Sequence, residues 1–432
     1  MHLAVLATFV WIAGGPGVQD DPVPSRQGLE RALAERSARL PEALDVAELA
    51  QRLTEGEVAV AFQRYHHYEF QGETTHEERY VAFVYPRAGD PARVELGDAA
   101  TIDRAVQSWR ASVETGDGAA TRTAGEALRG LVLDPLADPM GAVGRLYVLL
   151  DGELHGLPLD ALPREEGFVG DRIEVVRLHT LRQLQTEGRP PLAEPSLLAL
   201  GNPDFGTPDE GSGGPRFPAL PATQSEVEGV AALFRQRFGA EPPCRVHTGA
   251  EATKQRLLEH APGARFVHVA THGSFRPELP EPDEEGTGPL RWSRRAGSLS
   301  PLVFSQLFLA GANREPYGDG ILTGAELAAA NLGRTELVVL SASETAAGIR
   351  SSGWGVSSLQ AAVHLAGARS SIGSLWQVPD QAAAELMTEF YRHLWTGDES
   401  KASALWKAKC DLRAQGRPPR DWAAWVLSGT PD

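Results

Sequence analysis

The sequence predicts an α/β protein, a mostly parallel sheet flanked by helices, preceded by a smaller N-terminal α+β subdomain. Three observations predict it. Residues 266–273, Phe-Val-His-Val-Ala-Thr-His-Gly, and residues 336–345, Glu-Leu-Val-Val-Leu-Ser-Ala-Ser-Glu-Thr, are each a short apolar, β-branched run that stops abruptly at small and polar residues. Strands buried on both faces read this way, and open parallel sheets place their sites at the carboxyl ends of such strands. In residues 356–366, Val356, Leu359, Val363 and Ala366 recur at helical spacing before Gly367, and a strand-like run at 370–375 follows.

The rest of the chain fits around these elements. Residues 20–55 read as helix, with Leu29, Leu33, Leu40, Leu44, Ala47 and Leu53 among charged residues. Residues 58–62, 65–70 and 79–85, rich in aromatic and β-branched types, read as three strands, and residues 103–113 and 120–131 as helices. These segments make up the N-terminal subdomain, at 21–130, and the larger α/β domain occupies 131–432. Two stretches have linker composition: 206–218, rich in Gly, Pro and acids, and 276–297, with Pro277, Pro280, Pro282 and Asp283-Glu284-Glu285. The second begins just past the histidine run, so it is expected to border the site. No 34-residue repeat is visible.

Composition narrows the function. A length of 432 residues is ample for a large core, and 42% hydrophobic and 23% charged residues are ordinary for a globular protein. A formal net charge of −16 opposes direct nucleic-acid binding, which needs clustered Lys and Arg. Two cysteines, Cys244 and Cys410, are too few for a disulfide framework and have no metal spacing. Residues 1–20 read as an apolar leader or the remnant of an upstream region: the apolar run at 3–13 has the length of a signal-peptide core but is too short to span a bilayer. Cytoplasmic residence is expected, with export through that run as the alternative; no membrane span is expected.

The chemistry concentrates at the two strand ends. The first delivers His272, the second a hydroxyl, Ser343. A base and a potential nucleophile on neighbouring strand ends form the arrangement that covalent acyl transfer requires. His268, inside the first strand, reads as a hydrogen-bonded core histidine. His66 and His67 are adjacent in a strand and point to opposite faces, so they cannot share a metal. No metal signature is present, and no cofactor is expected.

The two runs resemble the catalytic motifs of the CHAT family, caspase-like peptidase domains often found behind TPR repeats, whose usual patterns read A-T-H-G and L-S-A-C-E-T-G. Further blocks follow the family's order over roughly residues 130 to 430: Leu146 to His155, Ser196 to Phe205, Leu220-Pro221-Ala222-Thr223 with Glu226 and Glu228, Asp319 to Thr323, Ala366 to Arg369 with Ser374-Leu375-Trp376, and Trp422-Ala423-Ala424-Trp425. The resemblance implies hydrolysis of peptide bonds in protein substrates by a Cys–His dyad, and a regulatory partner or an upstream repeat or sensor module. It makes His272 the general base, the backbone N–H groups of Gly273 and residue 343 an oxyanion hole, and His155 and Glu344 supporting residues. In caspase-like folds the strand after the 356–366 helix walls the substrate pocket, which nominates Trp376, Gln377 and Asp380, the last as an acid for a basic side chain.

One departure matters. Ser343 stands where the family carries its cysteine, and Ala346 where a glycine usually follows. A thiol with a pKa of about 8.5 is readily brought to thiolate by a histidine, whereas a serine hydroxyl needs an oriented base throughout. Little or no peptidase activity is therefore expected of the chain as written. Either a Cys→Ser change was introduced to trap an inactive enzyme, or the chain is a natural pseudopeptidase that binds a peptide or partner as a scaffold.

Overall fold

The computed structural model describes residues 46–69, 75–184, 189–207, 217–275, 302, 305–314, 320–342, 349–351 and 355–432. Outside them lie the apolar run at 3–13, most of the helix read at 20–55, most of the 206–218 stretch, the whole of 276–297, and Ser343 and Glu344.

After a helical turn, α1 (Val46–Arg52), three strands form an antiparallel meander: β1 (Glu57–Glu69), β2 (Thr75–Pro86) and β3 (Ala92–Asp98). The sequence predicts two strands where the chain forms the single β1. The polar pair Gln63-Arg64 does not break it, because both residues keep their places opposite Val81 and Tyr80 in the ladder. Helices α2 (Ala99–Thr115) and α3 (Gly118–Val132) follow, both longer than predicted. Helix α2 starts at Asp98, whose carboxylate accepts from Thr101 N–H at 2.8 Å, and stops at Gly116 with φ +75°. Its buried Ala99, Ile102, Val106, Trp109 and Val113 form one stripe at helical spacing.

The remaining elements are β4 (Arg145–Leu149), β5 (Glu174–Arg177), β6 (Leu197–Pro203), α4 (Ala222–Phe238), β7 (Cys244–Gly249), α5 (Lys254–His260), β8 (Phe266–Ala270), β9 (His272–Phe275), β10 (Ser305–Phe308), β11 (Ile321–Thr323), α6 (Gly324–Ala329), β12 (Leu337–Ser341), β13 (Ile349–Ser351), β14 (Gly355–Ser357), α7 (Leu359–Leu365), β15 (Ser370–Ser374), α8 (Asp380–Tyr391), α9 (Lys401–Ala414) and β16 (Trp425–Gly429), with β8, β12 and β15 where the sequence predicts strands. Helix α7 begins later than its apolar spacing suggests. Ser358 caps it by accepting from Ala361 N–H at 3.3 Å, while Val356 pairs with Arg350 in a β13–β14 hairpin.

Eleven strands form one sheet in the order β3-β2-β1-β4-β5-β16-β15-β12-β8-β6-β7. It holds two parallel blocks, β1-β4-β5-β16 and β15-β12-β8-β6-β7, joined by the antiparallel pair β15–β16. The two blocks therefore present their carboxyl ends at opposite edges. Leu197, Ala199, Phe266, Leu337 and Val339 face a core shared with α4, α8 and α9; Leu198, Leu200, Val267, Val269, Val338 and Leu340 face a second core with α5, α6 and α7. Each Val, Leu or Phe among them contributes about 1.5–3 kcal/mol on burial. Double-sided burial explains why these strands read as unbroken apolar runs. Among the described residues, no helix is long and apolar enough to cross a membrane.

Candidate active site

The carboxyl ends of β8, β12 and β15 meet at one edge. Thr271 N–H donates to the Ser341 carbonyl at 3.1 Å, and the Ser374 hydroxyl to the Ala342 carbonyl at 2.7 Å. The backbone leading into residue 343 is thus held from both flanking strands. Beside it opens a cleft of about 180 Å³ whose lining includes His272, Ser341, Ala342, Gln377, Asp380 and Glu226.

His272 does not cap a turn. After Thr271 the chain re-enters a strand, β9, in a separate three-stranded sheet, with His272 opposite Phe308 and Gly273 opposite Leu307. The Thr271 hydroxyl fixes that junction by donating to the Phe308 carbonyl. The His272 Nε2 lies 2.8 Å from the Pro218 carbonyl oxygen, and its ring rests against Phe205 and Phe217, at 5.2 and 5.8 Å between centroids. A carbonyl only accepts, so Nε2 carries the proton and a neutral ring keeps its lone pair on Nδ1.

The loop that carries Pro218 is fastened by Asn313. Its side-chain oxygen accepts from Phe217 N–H at 2.9 Å, and its amide donates to the carbonyls of Phe217 and Gly206 at 3.0 and 3.1 Å. Phe217 also stacks on Phe308 at 3.8 Å. No side-chain pattern announces a backbone carbonyl, so sequence reasoning misses this partner; the only signal is the Phe-Pro pair ending a Gly- and Pro-rich stretch.

Asp380 opens α8 at the exposed rim of the cleft. The protein packed around it pushes its carboxyl above the usual range; the His272 imidazole opposes that rise and Glu226 adds to it. Gln377 is exposed nearby. Trp376 does not join them: it is buried, donates its indole N–H to the Arg420 carbonyl at 3.0 Å and meets Trp109 edge to face. It lies two residues past the end of β15 and packs into the core, so the pocket role expected of it is corrected to packing. His155 is also corrected. It lies in the helical turn Gly152–Gly156 after β4, at the sheet edge opposite the cleft, where its carbonyl accepts from Arg177 at 2.9 Å. Ser343 and Glu344 lie outside the described residues.

His268 is fully buried, with Nε2 2.9 Å from Glu226 Oε1 and Nδ1 3.2 Å from the Tyr391 hydroxyl. It is the core histidine the sequence predicts, but its carboxylate partner comes from α4, forty-two residues away in sequence. Cys244 opens edge strand β7 and Cys410 lies on α9; burial pushes both thiols up, away from the thiolate form. Neither lines the cleft. Among the described residues, Glu389, His393 and Asp411 bring possible metal-ligand atoms within 4.8 Å of one another, away from the cleft; the Arg392 guanidinium already bonds both carboxylates.

Known proteins share this sequence pattern. The chain is 26% identical to mouse tetratricopeptide repeat protein 28 over 321 residues, and 24% identical to its human counterpart over 318 residues; each match covers 68% of this chain and 12% of the relative. The chain thus matches only a small part of these relatives' length. Among solved structures it is similar to Saccharomyces cerevisiae separase in the separase–securin complex, with a TM-score of 0.41, 15% identity and coverage of 67% of this chain and 16% of that one. It is also similar to the Arg-specific cysteine proteinase gingipain R, with a TM-score of 0.41, 9% identity and coverage of 77% and 74%. The model of the CHAT domain matches residues 122–430, most of the chain, and the chain belongs to the CHAT domain family.

Proposed function

We propose that the cleft beside His272 receives an extended peptide, and that the chain is a caspase-like CHAT protein of the Cys–His peptidase type in which Ser343 leaves little or no hydrolysis. The observation that carries this reading is the orientation of His272: Nε2–H on the Pro218 carbonyl, Nδ1 available, in a cleft lined by the two residues that lead into position 343. In the reaction, a nucleophile at 343 attacks the peptide carbonyl and passes its proton to Nδ1. His272 returns it to the leaving amine, and water then releases the acyl group. The N–H groups of Gly273 and residue 343 are proposed to stabilise the oxyanion.

The same contact explains the expected inertness. Serine catalysis relies on a carboxylate behind the histidine, and losing that carboxylate's function costs about 10⁴ in kcat in the serine proteases. A carbonyl suffices to orient an imidazole for a thiol. It favours a second reading, a cleft that holds a peptide or partner without cutting it. Residues 21–130 are proposed as an N-terminal α+β part serving an upstream repeat or sensor module, and the 276–297 stretch as the segment through which such a partner acts.

The test is Ser343→Cys, incubated with a diverse peptide library. Cleavage should appear and vanish when His272→Ala is added. Folded Ser343→Cys protein that cleaves nothing, even with candidate activating proteins, would sink the peptidase reading and leave the scaffold.

A further inference from the structure

We propose that the floor of the cleft is a subsite for a side-chain carboxamide, that of a glutamine or asparagine in the bound peptide, with the Trp425 indole N–H and Glu226 Oε2 as its two partners. The proposal rests on the cleft being the peptide-binding one and names what it selects.

Trp425 is the observation that calls for a ligand. It opens β16 opposite Ser374 of β15, so the two side chains stand on one face of the sheet, and both line the cleft. Only 1% of Trp425 is exposed, and its indole nitrogen is buried with no hydrogen-bond partner among the described residues. An indole N–H only donates, so this group lacks an acceptor. Glu226, on α4, is also in the lining and also 1% exposed. His268 Nε2 lies 2.9 Å from Oε1, while Oε2 is buried without a partner among the described residues. Buried polar groups are costly to leave unpaired, and here two share one cleft.

The described surroundings do not meet them. The hydroxyls of Thr223, Thr271 and Ser374, all in the lining, each donate their single proton to a backbone carbonyl, those of Leu220, Phe308 and Ala342. The chemistry of the missing group follows from what the two atoms need. Trp425 needs an acceptor in every case. Glu226 Oε2 needs a donor when the carboxyl is ionised or carries its proton on Oε1, and an acceptor when the proton sits on Oε2. A carboxamide has two N–H donors and a carbonyl with two lone pairs, so it satisfies both atoms in each of these states. A cation has no acceptor for Trp425, and a carboxylate has no donor for an ionised Glu226. A hydroxyl offers one of each but leaves most of the cleft empty: its volume is many times what one water takes, enough for a longer side chain.

The experiment titrates N-acetyl-glutamine methylamide, and N-acetyl-methionine methylamide as an unbranched side chain without the amide, into the full chain labelled with nitrogen-15. The indole N–H resonance of Trp425, identified by its loss in Trp425→Phe, is followed by NMR. The glutamine compound should move that resonance downfield to saturation and bind at least tenfold more tightly than the methionine compound. Trp425→Phe should remove the preference. It should leave the melting temperature unchanged or higher, because it deletes a buried donor that has no acceptor in the free protein. Equal affinity for the two compounds overturns the subsite, as does a preference that survives Trp425→Phe. If Trp425→Phe does not fold, Glu226→Gln and Glu226→Ala identify no resonance, so the wild-type titration decides: no indole resonance shifted at saturation counts against the proposal. Failure here is separable from failure of the peptidase reading. Ser343→Cys protein that cleaves without regard to glutamine or asparagine sinks only the subsite, whereas glutamine-selective binding with no cleavage sinks only the chemistry.

Discussion

The two edges of the sheet carry histidines of opposite character. At the cleft edge, His272 is half-exposed, with one nitrogen committed to a carbonyl and the other left to accept a proton. At the far edge, His179 and His364 meet edge to face at 5.1 Å, and His364 Nε2 lies 3.1 Å from the Ser428 hydroxyl. Each keeps some surface, but the protein packed around the rings pushes His179 down to about 4 and His364 to about 3. The residue type is the same and the role is set by surroundings. A histidine enclosed without a counter-charge becomes a neutral packing group; one at a wet strand end with an oriented ring has the geometry that the proposed base requires. His268, four residues before His272, is a third kind: fully enclosed but paired with a carboxylate.

These differences predict substitution effects of very different size. The largest is at His268. Replacing it by alanine leaves Glu226 buried without any partner, and a loss of about 3–5 kcal/mol is expected in chemical denaturation at pH 7. A loss under 1 kcal/mol would show that the pair contributes little.

The far edge should control acid stability. The folded-state values of His179 and His364 lie below the ordinary 6.5, so the unfolded chain binds protons that the folded chain refuses. Stability is then full above pH 6.5 and falls as pH drops through the window from 6.5 to about 3, the last part of it set by His364. His364→Gln should flatten that part of the pH–stability curve; an unchanged slope would reassign it to other groups.

A smaller effect is expected at Asn313. Asn313→Ala removes three hydrogen bonds that fasten the Pro218 loop and should cost about 1–2 kcal/mol. The NMR signal of the His272 Nε2–H should broaden or shift with it. A sharp, unmoved signal would mean that Phe217 stacking alone holds the carbonyl. Smallest of all, His272→Ala should change stability by less than about 0.5 kcal/mol, because the ring is half-exposed and its one hydrogen bond is to a loop.

Much of the fold and part of the site are legible in the sequence, for reasons that can be named. Strands β8 and β12 are buried on both faces, so their apolar runs and polar stops stand out. His272 follows from the first of those stops, and Gln377 and Asp380 from their place just past the strand after α7; the fold brings these three to one cleft. What is not legible depends on long-range packing. The Pro218 carbonyl has no side-chain signature, and the Glu226–His268 pair joins a helix to a strand. Trp376 and His155 are misplaced by sequence reasoning because adjacency to a strand end does not reveal which side of the sheet, or which edge, a side chain reaches. The reversal of strand direction at β15–β16 sends His155 to the far edge.

His272 serving position 343 as its base is the central claim, and thiol reactivity tests it most directly. In Ser343→Cys protein the rate of alkylation by iodoacetamide would be followed at pH 6.5. The introduced thiol should react at least tenfold faster than Cys244 and Cys410, whose thiols burial pushes up, and His272→Ala should abolish this advantage. An alkylation rate at position 343 that is the same with and without His272 would contradict the claim.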